Sequence, residues 1–290
     1  MLINDILKKK ETAFSCEIFP PKPGSELEHA FEIVGQIAAL KPDFISVTCG
    51  TGANKASLTQ TIAEHIEQFN IPSLAHITCV ATAKDEIHKI LDAYAEKGIR
   101  NVLALRGDLP KDPQPEAAQP IEGQYRYAGE LVAAIKGCGG FCIGAACYPE
   151  GHVESANQDE DIAYLKQKVD SGCDFLTTQM FFDNNVLYKF LYKLSQKSIN
   201  VPVLAGIMPV TNKVQIRRIL ELSGTVLPPR FQNILDKFGD KPAAMKQAGI
   251  AYATEQIIDL VANNVRGIHL YTMNKPDVAE QIIHNLSHIL

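Results

Sequence analysis

No stretch of the sequence runs uncharged for the roughly 20 residues needed to cross a bilayer, and the longest apolar stretches are broken by Gly and Pro. A helical membrane span is excluded. Positive charge is not in surplus either: 28 Lys and Arg face 33 Asp and Glu, a formal net charge of -5. That balance argues against a nucleic-acid partner held by phosphate neutralisation, though it leaves room for a local basic pocket. The opening MLINDILKKKETAF places its lysines after the apolar residues and has neither a long apolar core nor a small-residue cleavage site. It reads as a short amphipathic helix of a cytoplasmic protein. Cys-x-x-Cys pairs are missing, and the seven cysteines are an odd number that falls mostly in apolar runs. Buried, reduced thiols are expected. Cys138, Cys142 and Cys147 are close enough to raise a metal site, but the stretch reads as the lead into a strand, and no metal is expected. The phosphate loop G-x-x-x-x-G-K-[ST], the G-x-G-x-x-G fingerprint, H-E-x-x-H and G-x-S-x-G are all absent. NTPase, Rossmann dehydrogenase, zinc protease and serine hydrolase readings lose their main support. No lysine ends an apolar run, which weakens a Schiff-base aldolase.

What is present is a 290-residue chain, 46% hydrophobic and 21% charged, with ample apolar surface to bury. Eight short apolar runs recur along it, at 14–19, 43–49, 73–80, 100–106, 141–148, 174–180, 202–208 and 266–272. Short apolar runs suit parallel strands covered on both faces. Between them apolar residues recur at helical spacing, as in Leu27, Phe31, Val34 and Ile37, or Ile87, Ile90, Leu91 and Tyr94. Ser25 with Glu28 and Thr82 with Asp85 have capping-box spacing, and Pro276 suits a first helical turn. Gly98 and Gly172 stand where helices would end. Eight strand–helix units without a linker predict a closed α/β (β/α)8 barrel, with an open doubly wound sheet as the alternative. Residues 1–290 are read as one catalytic domain, with the N-terminal helix and a helical insertion at about 228–264 as additions. A proline-rich insertion, PKDPQPEAAQP, follows Arg106.

In such a barrel the chemistry sits at the C-terminal strand ends, and the residues there are polar: Glu17, Thr48, His76, Thr78, Arg106, Gly107, Asp108, Tyr148, His152, Gln179, His269 and Tyr271. Glu17, inside FSCEIF and before Pro20-Pro21, should point into the mouth. Partial desolvation would raise its pKa, as a general acid requires; an ion pair with a neighbour such as Arg106 is the structural alternative. ALRGDLP (104–110) sets a cation and an anion around a glycine, suited to backbone contact with a ligand and to phosphate, or else to a turn with a local ion pair. His76 is either a ligand contact or a satisfied core residue. Lys168, on a helical pattern, would by itself be a solvated face residue.

The segments SCEIFPPK (15–22), FISVTCG (44–50), AHITC (75–79), ALRGDLP (104–110), CYPEGH (147–152), TTQMFFD (177–183), GIMPVTN (206–212) and HLYTMN (269–274) resemble, in order, the catalytic module of the methylenetetrahydrofolate reductase family. The resemblance implies a flavoprotein barrel that reduces 5,10-methylenetetrahydrofolate to 5-methyltetrahydrofolate in one-carbon metabolism and methionine synthesis. FAD is the implied cofactor, reduced by NADH or NADPH, with the two half-reactions sharing one site in a ping-pong sequence. It makes Glu17 the general acid that opens the five-membered folate ring, giving the iminium that accepts hydride. Asp108 becomes the carboxylate that contacts the pterin near the flavin. Thr48, His76, Arg106, Gly107, Asp108, Tyr127, Ala128, Tyr148, His152, Asp161 and Lys168 are implied around FAD. Thr48, Asp108, Gln179, Gln215 and Lys275 are implied for folate or nicotinamide. Lys275 stands where arginine is common, replacing a planar fork by a point charge. A homo-oligomer, with a tetramer as the commonest assembly, is the corresponding expectation.

Overall fold

The structure, a computed structural model, describes residues 1–21, 27–49, 55–80, 82–107 and 123–290. Eight parallel strands pair in chain order: β1 (Ala13–Ile18), β2 (Phe44–Val47), β3 (Ser73–Thr78), β4 (Asn101–Leu105), β5 (Cys142–Cys147), β6 (Phe175–Thr178), β7 (Val203–Ile207) and β8 (Gly267–Tyr271). The last strand returns to the first, Ala13 opposite Gly267 through Glu17 opposite Tyr271, so the sheet closes into a barrel. The open-sheet alternative is excluded. Each strand falls within its apolar run, apart from β1, which begins one residue earlier at Ala13, and each ends short of its run's last residue.

Around the barrel lie α1 (Ile3–Lys9), α2 (Leu27–Ala39), α3 (Lys55–Glu67), α4 (Lys84–Glu96), α5 (Ala128–Cys138), α6 (Gln158–Asp170), α7 (Asn184–Gln196), α8 (Lys213–Ser223), α9 (Pro229–Phe238), α10 (Pro242–Ala262) and α11 (Pro276–Asn285). Strand side chains alternate between two faces. The outward set, including Ile45, Val47, Val102, Ile143 and Leu270, packs under the helices with Val34, Leu131 and Ile257. The inward set at the N-terminal end is Ala13, Phe44, Leu74, Leu103, Cys142, Phe175 and Leu204, and Ile3, Ile6 and Leu7 of α1 close that end. Each such large side chain contributes about 1.5–3 kcal/mol by leaving water. One face of α8, α9 and α10 joins the loops after β6 and β7 in a further cluster of Met180, Phe182, Met208, Val210, Ile216, Phe231, Leu235 and Met245.

Helix ends follow local chemistry where a cap is free to form. Asn157 accepts from the Glu160 N–H at 2.9 Å, Asp183 from Asn185 at 2.9 Å, and Asn212 from Val214 and Gln215 at 2.9 and 3.0 Å. The cap expected at Thr82 is not made: Ala83 is the N-cap of α4, and the Thr82 hydroxyl donates to the Val80 carbonyl at 3.4 Å. Tertiary pairing decides here, because Ala83 bridges Gln124 and the Lys84 N–H donates to the Gly123 carbonyl. Ser25 lies outside the described residues. Gly98 and Gly172 take positive φ after α4 and α6, and Pro276 opens α11, as expected. Cys142 faces into the barrel, Cys147 packs outside it, and Cys138 is exposed at the end of α5, so the three thiols do not share a face. Among the described residues no helix is long and apolar enough to cross a membrane.

Candidate active site at the barrel mouth

The inward alternation that buries Phe44 and Leu74 at one end of the barrel brings Glu17, Ser46, His76 and His269 together further up. Glu17 is 6% exposed. Its Oε2 accepts from Ser46 Oγ at 3.1 Å, lies 3.2 Å from His269 Nε2 and 3.5 Å from His76 Nε2. His269 is held from behind by Ser15, whose Oγ is 2.7 Å from Nδ1 and 3.2 Å from the Ile268 carbonyl. Burial lowers the His76 pKa to about 4 against the opposing pull of Glu17, so this imidazole is neutral at pH 7. Its Nε2 makes no hydrogen bond among the described residues.

Two expectations for Glu17 are corrected. Burial does push the carboxyl up, but the His269 hydrogen bond, the pull of His76 and His269 and the Ser46 hydroxyl outweigh it, leaving the pKa below the ordinary carboxylate value. Nor is Arg106 its partner: the guanidinium forks onto Glu154, Nη1 to Oε2 at 2.5 Å and Nη2 to Oε1 at 2.6 Å. Beside the Glu17 group, Tyr271 reaches across β7 to donate its hydroxyl to the Thr178 carbonyl at 2.6 Å. Gly206 permits this, since a Cβ there would lie 2.7 Å from the tyrosine ring.

The other sequence-derived residues fall into groups around the mouth. Arg106 and Gly107 follow β4; Gly107 has φ +88°, and a Cβ there would stand 3.1 Å from Thr78 Cβ, so bare backbone is required. His152, after β5, lies edge-on to Tyr148 with centroids 4.6 Å apart, and burial followed by the Arg106 charge lowers its pKa. Lys168 is not the solvated residue its helix position suggests: its ammonium donates to the Ala146 carbonyl at 2.8 Å, and burial lowers its pKa. Asp161 faces the same cations, its pKa raised by burial and opposed by Lys168 and His152. Tyr127 caps α5 and is 54% exposed, and Ala128 is the first residue of that helix. Thr48 follows β2 and donates its N–H to the Ile18 carbonyl. Gln179 follows β6, its Oε1 accepting from the Met180 N–H at 3.0 Å. Gln215 is in the first turn of α8, while Lys275 donates to Thr211 Oγ1 at 2.7 Å. Asp108 lies outside the described residues.

A flavin dinucleotide fits this set: His76 offers a buried nitrogen with no hydrogen bond among the described residues, Gly107 a side-chain-free edge, and Arg106, His152 and Lys168 the donors a diphosphate needs. Ser15, Ser46 and Glu154 are additional residues of the site. The two serines share the inward parity of Glu17, a signal legible in the strand alternation, whereas Glu154 sits in an irregular loop with no pattern to single it out.

A closed parallel barrel whose C-terminal mouth joins a buried carboxylate and two imidazoles to a rim of cations belongs among the (β/α)8 enzymes. Within them, the chain is a member of the methylenetetrahydrofolate reductase family, which it matches over residues 2–287. It is 31% identical over 273 residues to the 5,10-methylenetetrahydrofolate reductase of Escherichia coli (strain K12), covering 94% of this chain and 90% of that protein. Against methylenetetrahydrofolate reductase (NADH) 1 of Arabidopsis thaliana it is 35% identical over 296 residues, 98% of this chain but 50% of that protein. The chain thus spans about half the length of its plant relatives. Among solved structures, a Clostridium thermocellum protein described as binding two copies of 5-methyl-5,6,7,8-tetrahydrofolic acid superposes with a TM-score of 0.65 at 15% identity, covering 100% of this chain and 99% of that one. That likeness speaks for the fold.

Proposed function

We propose that this chain reduces 5,10-methylenetetrahydrofolate to 5-methyltetrahydrofolate in a ping-pong sequence, with FAD as cofactor and NADH or NADPH as reductant. The observation that carries the reading is the Glu17 carboxylate, buried at the mouth and clamped between His269 and Ser46 in a chain of this family. Bound FAD would accept hydride from the nicotinamide and pass it to the folate. Glu17 would deliver the proton that ring opening needs, and the network behind it holds the carboxyl in place. Ser15 Oγ lies 2.7 Å from His269 Nδ1 and 3.2 Å from the Ile268 carbonyl, so the serine fixes the ring whose Nε2 faces Glu17. Closure of the mouth by a flat, apolar ligand would add to desolvation and push the carboxyl upward, toward the protonated form that donates.

Arg106, His152 and Lys168 would take the cofactor's phosphates, and Gln179, Gln215 and Lys275 would orient substrate at the β6, β7 and β8 side. The test is an absorption spectrum of the purified protein, followed anaerobically by NADH and then methylenetetrahydrofolate. Flavin colour that bleaches with NADH and returns with the folate establishes both half-reactions. A protein that neither contains nor takes up FAD overturns the assignment.

A further inference from the structure

Glu154 links two of the rim residues without belonging to any of the matched segments. Its carboxylate holds both terminal nitrogens of Arg106, and its own N–H donates to His152 Nδ1 at 3.1 Å. His152 in turn rests edge-on against Tyr148. Arg106 comes from the end of β4 and Glu154 from the loop between β5 and α6, 48 residues later, so the contact ties two mouth loops together. The backbone under Arg106 is independently fixed, its carbonyl accepting from the Val80 N–H at 2.8 Å. What Glu154 adds is the direction of the guanidinium. The pair is open to solvent, with side chains 23% and 51% exposed, and ion pairs so placed contribute little to folding stability. A two-pronged geometry at that location therefore has its consequence in orientation. Of the five guanidinium N–H groups the fork uses two, leaving Nε–H and one N–H on each terminal nitrogen free to donate.

We propose that Glu154 is a positioning residue for cofactor binding: it pre-orients Arg106 and cancels its net charge, so that Arg106 meets the flavin dinucleotide by directed hydrogen bonds rather than as a mobile point charge. The proposal rests on the flavoprotein reading above. Without the carboxylate, Arg106 must be ordered when the ligand binds and would act as an unscreened cation. The first effect weakens binding, and the second makes it sensitive to salt.

The experiment titrates apoprotein with FAD by flavin fluorescence from about 0.05 to 0.5 M NaCl, spanning the range over which the screening length shortens from above to below ~10 Å. Wild type, Glu154→Gln, Glu154→Asp and Arg106→Gln are compared, with thermal melting of each apoprotein alongside. Glu154→Gln is expected to bind FAD about fivefold more weakly at 0.15 M salt, the size of ordering one long side chain, and to show a steeper fall of affinity with salt. Glu154→Asp restores the shallow slope. In Arg106→Gln, adding Glu154→Gln changes the slope no further. A Glu154→Gln protein with the wild-type slope and affinity overturns the proposal, leaving a surface ion pair. Tighter binding at every salt concentration overturns it too, by making Glu154 a repulsive neighbour. If wild type binds no FAD, the flavoprotein reading itself fails, an outcome distinct from either.

Discussion

At the scale of single residues, the mouth is organised by two buried groups that respond to pH in the same sense. His76 takes up a proton in the unfolded chain near its ordinary pKa of 6.5, but in the folded protein only near 4. The unfolded state therefore binds more protons between those values, and stability falls as pH drops through that window, by up to about 1.4 kcal/mol per pH unit. Glu17, whose pKa is lowered on folding, is stabilising above its unfolded value and loses that contribution further down, as pH falls through its folded pKa. Melting curves at pH 7, 6 and 5 should show a progressive fall in Tm, and His76→Gln should flatten it; an equal slope in both proteins would remove His76 from the account. Glu17→Gln separates chemistry from stability. On the proposed function, in which Glu17 donates the proton, the substitution is expected to slow reoxidation of reduced flavin by methylenetetrahydrofolate by about 10²–10⁴-fold, far more than it slows reduction by NADH in stopped flow. Equal losses in the two half-reactions would point to a structural role. The location of Glu17 was legible from one carboxylate in an apolar run ended by Pro20-Pro21. Its ionisation was not, because the deciding partner, His269, is 252 residues away and meets it only when β8 closes on β1.

Elements were legible wherever local pattern and tertiary packing agree. The apolar runs mark all eight strands, because a strand covered on both faces is apolar at most positions, the polar exceptions such as Glu17, Ser46, His76 and His269 being the inward ones near the mouth. Helix starts were legible for Pro276, whose ring fits a first turn, but not for α4, where pairing of Ala83 with Gln124 overrides the Thr82 cap. Close approach of one element to another leaves a clearer structural mark. Gly249 of α10 lies against the loop after β7, where a Cβ would overlap the Val210 carbonyl. That same loop carries Thr211, the acceptor for Lys275. Gly249→Ala must therefore push α10 away from the mouth, and overpacking of this kind costs about 1–3 kcal/mol. Urea denaturation should register that loss, accompanied by a higher KM for folate as the Thr211–Lys275 contact shifts. An unchanged midpoint would show that α10 can move without cost.

Across the whole molecule, the two ends of the barrel divide the work. The C-terminal mouth carries buried polar groups, such as Glu17 and the His76 nitrogen that has no hydrogen bond among the described residues, beside the bare backbone of Gly107. The N-terminal end is closed by apolar packing of Ile3, Ile6 and Leu7 over Phe44, Leu74 and Phe175. Asn101 at the start of β4 fastens that plug: it accepts from the Ile3 N–H at 2.8 Å and donates to the Met1 and Ser73 carbonyls at 3.2 and 3.1 Å. The sequence shows α1 as an amphipathic turn or two, but its amphipathicity does not say which surface it covers; closure of the strands creates the apolar floor it meets. If the division holds, damage to the plug lowers stability without altering the chemistry. Asn101→Ala strands a buried N–H and should cost about 1–3 kcal/mol, and Ile3→Ala, which opens a cavity, about 2–5 kcal/mol. Both losses should appear in urea midpoints, while the rate of flavin bleaching by NADH at 25 °C stays at the wild-type value. A slowed bleaching rate in a variant that is still fully folded would mean that the floor of the barrel is coupled to its mouth.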